Sequence, residues 1–282
     1  MKFVPVADLL SDARARGYAV PSFCVWNAET VNAVLHAAET CRAPVILMSG
    51  PGEGLLSYAA LADTARAIAG HYDVPAALHL DHGNSMEAVE GCLAAGFTAV
   101  MLDYSTRPFD ENAAALRRVV ELARPRGVTV EGEIGAVGRV DEVTGEGMGH
   151  TALSDPAEAK AYVEATGVDC LAVSFGNLHG NYTRPPKFDF ERLAQLRDAA
   201  GVPLVLHGGS GTPPDQLARA ISLGVAKVNV ASELNRALRE TMHKRWNAGE
   251  RLWVPSALVE GMAAFAAIVE KWITLTGAAG KA

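Results

Sequence analysis

The sequence predicts an α/β fold built as a (β/α)8 TIM barrel, and three observations carry that prediction. Eight short apolar runs rich in Val, Leu and Ile recur along the chain. Each is followed by a longer stretch of helical period, and polar residues collect at the C-terminal ends of the runs. The runs are 18–23, 44–48, 77–81, 99–103, 128–133, 170–175, 203–207 and 226–230. They read as parallel strands buried on both faces. An open doubly wound sheet shares the same alternation. The ends of the runs favour the barrel, because there Asp81, His82, Asp103, Glu133, His207 and Asn229 would converge on one face.

Between the strands, helical period covers 28–40, 58–72, 85–95, 109–123, 155–166, 190–199 and 214–223, and an eighth helix runs from Glu233 onward. Asp155-Pro156 and Thr212-Pro213-Pro214-Asp215 are start signals, whereas Gly96, Gly127, Gly167 and Gly224 are stop signals. The Gly-rich, charged stretch 135–150 is long for a connection between strand and helix and reads as a mobile loop. No segment has the composition of a linker. Residues 1–282 are therefore expected to form one barrel domain with a C-terminal helical extension.

Composition excludes several classes of function. The 282 residues are 49% hydrophobic and 20% charged with net charge −7, which excludes a disordered tail or a basic nucleic-acid binder. No apolar run reaches the length of a membrane span, and the N-terminal residues lack the apolar core of a signal peptide, so a cytoplasmic protein is expected. Cys24, Cys41, Cys92 and Cys170 form no C-x-x-C pair and lie in mostly apolar segments, as buried thiols do. An acidic chain exerts no long-range pull on an anion, so a phosphorylated substrate must be held by local donors.

Three histidines follow three different strands: His82, His179 and His207, each beside a glycine. Taken singly, each reads as an ordinary loop histidine. Converging from separate strand ends, they supply three imidazoles to Zn2+ and leave a coordination position open. Asp81 stands beside that centre as a general acid/base. Asp103 and Glu133 end the next two strands. They are either supporting contacts, an alternative metal position or solvated strand-end carboxylates. Two late turns, Gly208-Gly209-Ser210-Gly211 and Asn229-Val230-Ala231-Ser232, follow the seventh and eighth strands, where barrels bind phosphate on backbone N–H groups. A metal beside a phosphate cradle points to Lewis-acid chemistry on a phosphorylated carbonyl compound.

Four segments carry a resemblance: Ala-Leu-His-Leu-Asp-His-Gly at 77–83, Val-Glu-Gly-Glu-Ile-Gly at 130–135, His-Gly-Gly-Ser-Gly at 207–211 and Lys-Val-Asn-Val-Ala-Ser-Glu-Leu at 227–234. Together they resemble the class II, metal-dependent ketose-bisphosphate aldolases, in particular the short tagatose-bisphosphate-aldolase-like subgroup. The resemblance implies Zn2+ on His82, His179 and His207, with Asp103 and Glu133 as an alternate position, and Asp81 as proton donor and acceptor at the C4 hydroxyl. It further implies dihydroxyacetone phosphate against Gly180, Gly208, Gly209, Ser210, Asn229, Val230, Ala231 and Ser232, a nearby monovalent cation (Na+ or K+), and a homodimer or homotetramer. The implied reaction cleaves a fructose or tagatose 1,6-bisphosphate reversibly. The alternatives are a ketose monophosphate giving an unphosphorylated aldehyde, and a non-catalytic partner subunit.

The departures from the family pattern fall in the aldehyde half. The family's Phe-Asn pair is Phe23-Cys24 here, and its Ser or Thr after the second strand aligns with Gly50, beside Ser49. Asp141 aligns with the loop glutamate credited with moving the C3 proton, and Glu142 follows it. After the fourth strand the usual Asp-x-Ser-His is Asp103-Tyr104-Ser105-Thr106. Asn235 stands where bisphosphate enzymes tend to place Arg or Lys, with Arg236 and Arg184 as possible replacements.

Overall fold

A computed structural model of the chain describes residues 3–54, 56–141, 147–149, 151–182, 184–248 and 253–282. Eight parallel strands close a barrel: β1 (Val20–Cys24), β2 (Val45–Ser49), β3 (Ala76–Gly83), β4 (Ala99–Leu102), β5 (Thr129–Ile134), β8 (Cys170–Val173), β9 (Leu204–Leu206) and β10 (Val225–Val230), with β10 pairing back onto β1. Every predicted strand is present. Each is buried on both faces, since helices cover the outside and side chains fill the inside.

The helices α2 (Ala28–Cys41), α3 (Tyr58–Ala69), α4 (Met86–Ala95), α5 (Phe109–Ala123), α6 (Pro156–Thr166), α7 (Phe190–Ala200) and α8 (Pro214–Ser222) follow the predicted pattern. Their starts are chemically marked. Asn27 and Thr30 form a reciprocal capping box, and the side chains of Ser57, Ser85, Asp155 and Asp189 each accept from a first-turn N–H. The helix expected from Glu233 onward is two helices, α9 (Ser232–Trp246) and α10 (Val254–Leu275). The second lies on α2 and buries Phe265, Val269, Trp272 and Ile273, and Trp272 Nε1–H donates to Glu233 at 2.8 Å.

One helix lies outside the sequence reading. In α1 (Val6–Arg16), Val6, Leu9, Leu10 and Ala13 form one buried stripe, and Gly17 ends it at φ 70°. It seals the barrel at the N-terminal ends of the strands, where Ala7 N–H donates to Thr129 Oγ1. The stretch 135–150, read as a mobile loop, has a constructed base. Ala136 bridges Ala152, and β6 (Arg139–Val140) pairs antiparallel with β7 (Gly147–Met148). Two 2.7 Å bonds, Val140 N–H to His179 O and His179 N–H to Gly138 O, tie this base to the segment carrying His179. All four cysteines are free, three of them buried and Cys41 partly exposed. Among the described residues no helix is long and apolar enough to cross a membrane.

Candidate active site

The predicted polar residues meet at the C-terminal mouth of the barrel, around a cavity of about 570 Å3. Successive strand residues normally face opposite ways, yet Asp81 and His82 both line it. The reason is local. The β3–β4 register shifts between Leu80 and Gly83, and His82 adopts φ 46°, the left-handed region that a non-glycine residue enters only when its surroundings hold it there. Gly83 allows this bulge, because a Cβ there would lie 2.4 Å from the Met101 carbonyl oxygen.

His82, His179 and His207 converge. His82 Nε2 is 3.0 Å from His207 Nδ1 and 3.3 Å from His179 Nε2. The other nitrogen of each ring faces an acceptor: Asp103 at 2.7 Å for His82, the Val137 carbonyl at 3.2 Å for His179, and Glu131 at 2.8 Å for His207. Those acceptors fix the hydrogens on the outer nitrogens, so three lone pairs point inward at one another. Such an arrangement is repulsive until a cation or proton sits among them. Zn–N bonds of about 2.0–2.1 Å in a tetrahedron separate ligand nitrogens by about 3.3 Å, close to the spacing found. A second donor set, His82, Asp103 and Glu133, adjoins the first, and Glu133 Oε2 is buried without a hydrogen-bond partner. The residues present therefore fit a divalent metal, with room for an alternate position.

Burial disfavours charge on His82, but Asp81, Asp103 and Glu133 overcome it and raise its pKa to about 10. Burial, and then the neighbouring imidazoles of His82 and His207, lower His179 to about 3. Glu133 is raised to about 7, chiefly by burial. Asp81 is pushed up by burial, yet His82, His207, Lys227 and His79 outweigh that and hold it below the usual carboxylate range. Its Oδ1 accepts from Asn229 Nδ2–H at 2.9 Å.

On the opposite side Gly180, Gly208, Ser210, Asn229, Ala231 and Ser232 line the cavity, and α9 starts there with its N-terminal N–H groups toward the mouth. Gly208 is at φ 67°, and a Cβ would lie 2.0 Å from the Leu178 carbonyl oxygen. Gly209 and Val230 pack behind this surface rather than lining it, and Ser49 lines a neighbouring pocket. Asp141 is partly exposed and does not line the cavity, and Glu142 lies outside the described residues. Asn235 lines the cavity, whereas Arg236 and Arg184 are not among its lining residues.

Several residues of the site escaped the sequence reading. Glu131 and Lys227 are fully buried, with Lys227 Nζ–H donating to Glu131 Oε2 at 2.7 Å behind His207. The signal was available: 131 shares strand parity with Glu133, and 227 with Asn229, so each charge had to face the barrel interior. Arg139, Glu53 and Asn84 also line the cavity, and they lie outside the eight barrel strands whose ends the sequence pattern marks.

The family model described as fructose-bisphosphate aldolase class-II matches residues 4–281. Among solved structures, the YdjI aldolase from Escherichia coli K12 is 34% identical, with TM-score 0.87 and 99% of both chains covered. A protein from Coccidioides immitis, described provisionally as a fructose-1,6-bisphosphate aldolase, is 32% identical over 97% of this chain and 96% of its own, with TM-score 0.84. The fructose-bisphosphate aldolase of Campylobacter jejuni, 20% identical over 100% and 97% of the two chains with TM-score 0.82, shares the fold. A barrel whose mouth gathers three histidines, a buried carboxylate and a glycine-rich cradle, matched over nearly its whole length, belongs to the class II fructose-bisphosphate aldolase family.

Proposed function

We propose that the protein is a zinc-dependent aldolase that reversibly cleaves a ketose phosphate between C3 and C4, giving dihydroxyacetone phosphate and an aldehyde. The observation that carries this reading is the set of three imidazoles whose outer nitrogens are each tied to an acceptor. His82, His179 and His207 would hold the ion, with Asp103 and Glu133 as the alternate position. When bound, it supplies Lewis-acid polarisation of the C2 carbonyl beside the bond that breaks.

The chain's own groups do the rest. Gly180, Gly208 to Ser210 and Asn229 to Ser232 receive the C1 phosphate on backbone N–H groups and the start of α9, with Na+ or K+ as a neighbouring counter-ion. Asp81, kept anionic and oriented by Asn229, takes the C4 hydroxyl proton as the C3–C4 bond breaks, and returns one in the synthetic direction. A carboxylate of the 135–150 stretch, Asp141 or Glu142, returns the proton to C3. The domain works as a cytoplasmic homodimer or homotetramer. The exposed Trp253, Val254, Leu258 and Val259 at the start of α10 support that assembly.

Dialysis against EDTA followed by Zn2+, with dihydroxyacetone phosphate release read through a coupled reductase, tests the proposal. The expected result is at least a hundredfold loss and its recovery. Metal-free protein that keeps full activity, or no release from any ketose phosphate, overturns it. Light scattering on the eluting protein reads the oligomer.

A further inference from the structure

We propose that Glu53 sets the aldehyde specificity, selecting ketose 1-phosphates whose far end is an uncharged polyhydroxylated chain and rejecting a second phosphate. This rests on the aldolase reading above and extends it to the other half of the cavity.

Glu53 Oε2 accepts from the Gly50 N–H at 2.6 Å and the Cys24 thiol at 3.0 Å, and the residue lines the same cavity as Asp81. The three positions form one unit. A Cβ on Gly50 would lie 3.2 Å from Glu53 Cδ and 3.4 Å from its Oε1, so a Ser or Thr at 50 would crowd the carboxylate. That same Cβ would lie 3.2 Å from the Asp81 carbonyl oxygen, which puts the Glu53 carboxylate on the Asp81 side of the cavity, where the C4 hydroxyl is handled. Burial, reinforced by Glu53, raises the Cys24 thiol far above its ordinary range, so it stays protonated and donates.

Among the described residues Oε1 accepts no hydrogen bond, which leaves a carboxylate oxygen open to hydroxyl donors. Charge across the cavity is divided accordingly. Among the described residues, the Lys or Arg that lines it is Arg139, from the segment bridged to His179 and packed on Gly180, the side of the phosphate cradle. Glu53 lies on the Asp81 side, where Asn84 follows His82 by two residues, and Asn235, one turn into α9, also lines the cavity. Beside Glu53 a phosphate would meet a like charge and, among the described residues lining the cavity, no Lys or Arg other than Arg139, whereas a polyol would find an acceptor and the Asn84 amide.

The test runs the reaction in the synthetic direction, with dihydroxyacetone phosphate and either D-glyceraldehyde 3-phosphate or an unphosphorylated triose or tetrose. The wild-type protein should favour the unphosphorylated acceptor by roughly tenfold or more in kcat/KM. Glu53→Gln, and separately the pair Gly50→Ser with Glu53→Thr, should shift the ratio of the two kcat/KM values toward the phosphorylated acceptor by about tenfold. A wild-type preference for the phosphorylated acceptor overturns the proposal. So does a ratio that moves less than about twofold in both variants while their melting curves match wild type. Exchange of a C3 hydrogen of dihydroxyacetone phosphate into D2O without aldehyde, measured on the wild-type protein, tests the underlying reading alone. No exchange would sink the aldolase reading, whereas exchange with flat ratios would sink only the role of Glu53.

Discussion

Replacing Lys227 by Met separates the part of the site that binds from the part that holds it together. Lys227 and Glu131 are both buried, 2.7 Å apart, and the other bonds to Glu131 come from His207 at 2.8 Å and the Cys170 thiol at 3.7 Å. Burial pushes the Glu131 carboxyl up, and Lys227 is the first of the groups that pull it well below its ordinary range. With the ammonium gone, an uncompensated buried carboxylate remains, at a cost of about 3–5 kcal/mol. At about 2–3 °C per kcal/mol for a chain of this size, melting should fall by roughly 6–15 °C. The measurement is a thermal melt at neutral pH with EDTA, so that metal binding does not contribute. Two further results are required. The double variant Glu131→Gln with Lys227→Met should recover at least half of the loss, because the amide oxygen still accepts from His207 and no charge is stranded. The single variant's deficit should also shrink as pH falls, since protonation relieves the lone carboxylate. A single variant within about 1 kcal/mol of wild type, or a double variant no more stable than the single, refutes the reasoning.

Asp81→Asn should bind zinc as wild type does while turnover falls by about 10²–10⁴, read by metal content beside the coupled assay. Gly208→Ala should destabilise by about 3 kcal/mol or more or fail to fold, because its Cβ would lie 2.0 Å from the Leu178 oxygen in a left-handed backbone; urea unfolding reads this. In the metal-free protein His82 keeps its proton up to about pH 10. Zinc uptake near pH 8 should therefore release a proton, and affinity should tighten with rising pH, both readable by calorimetry in buffers of different ionisation heat. Because the folded-state value lies above the unfolded one, His82 stabilises the metal-free fold fully below about pH 6.5 and loses that contribution as pH rises toward 10. Melts of EDTA-treated protein across that window check the sign.

What could be read from the residues divides along a physical line. Barrel strands such as Val45–Ser49 and Ala99–Leu102 are buried on both faces, so hydrophobicity alone marks them, and all eight were legible. His82, His179 and His207 were legible because ligand chemistry narrows the residue types and strand ends narrow the positions. The bulge that turns His82 inward was not, since φ 46° at a histidine is imposed by tertiary packing around Gly83 and Met101. The α1 stripe at Val6, Leu9, Leu10 and Ala13 has helical spacing, but it precedes the strand–helix alternation from which the other elements were counted. Glu53 shows the deeper limit. Cys24 and Gly50 look like two independent departures from the family pattern, and only their hydrogen bonds to Glu53 show that both adjoin one carboxylate. A chain records what each position is. Which positions act on one another becomes visible only when the fold has brought them within about 3 Å.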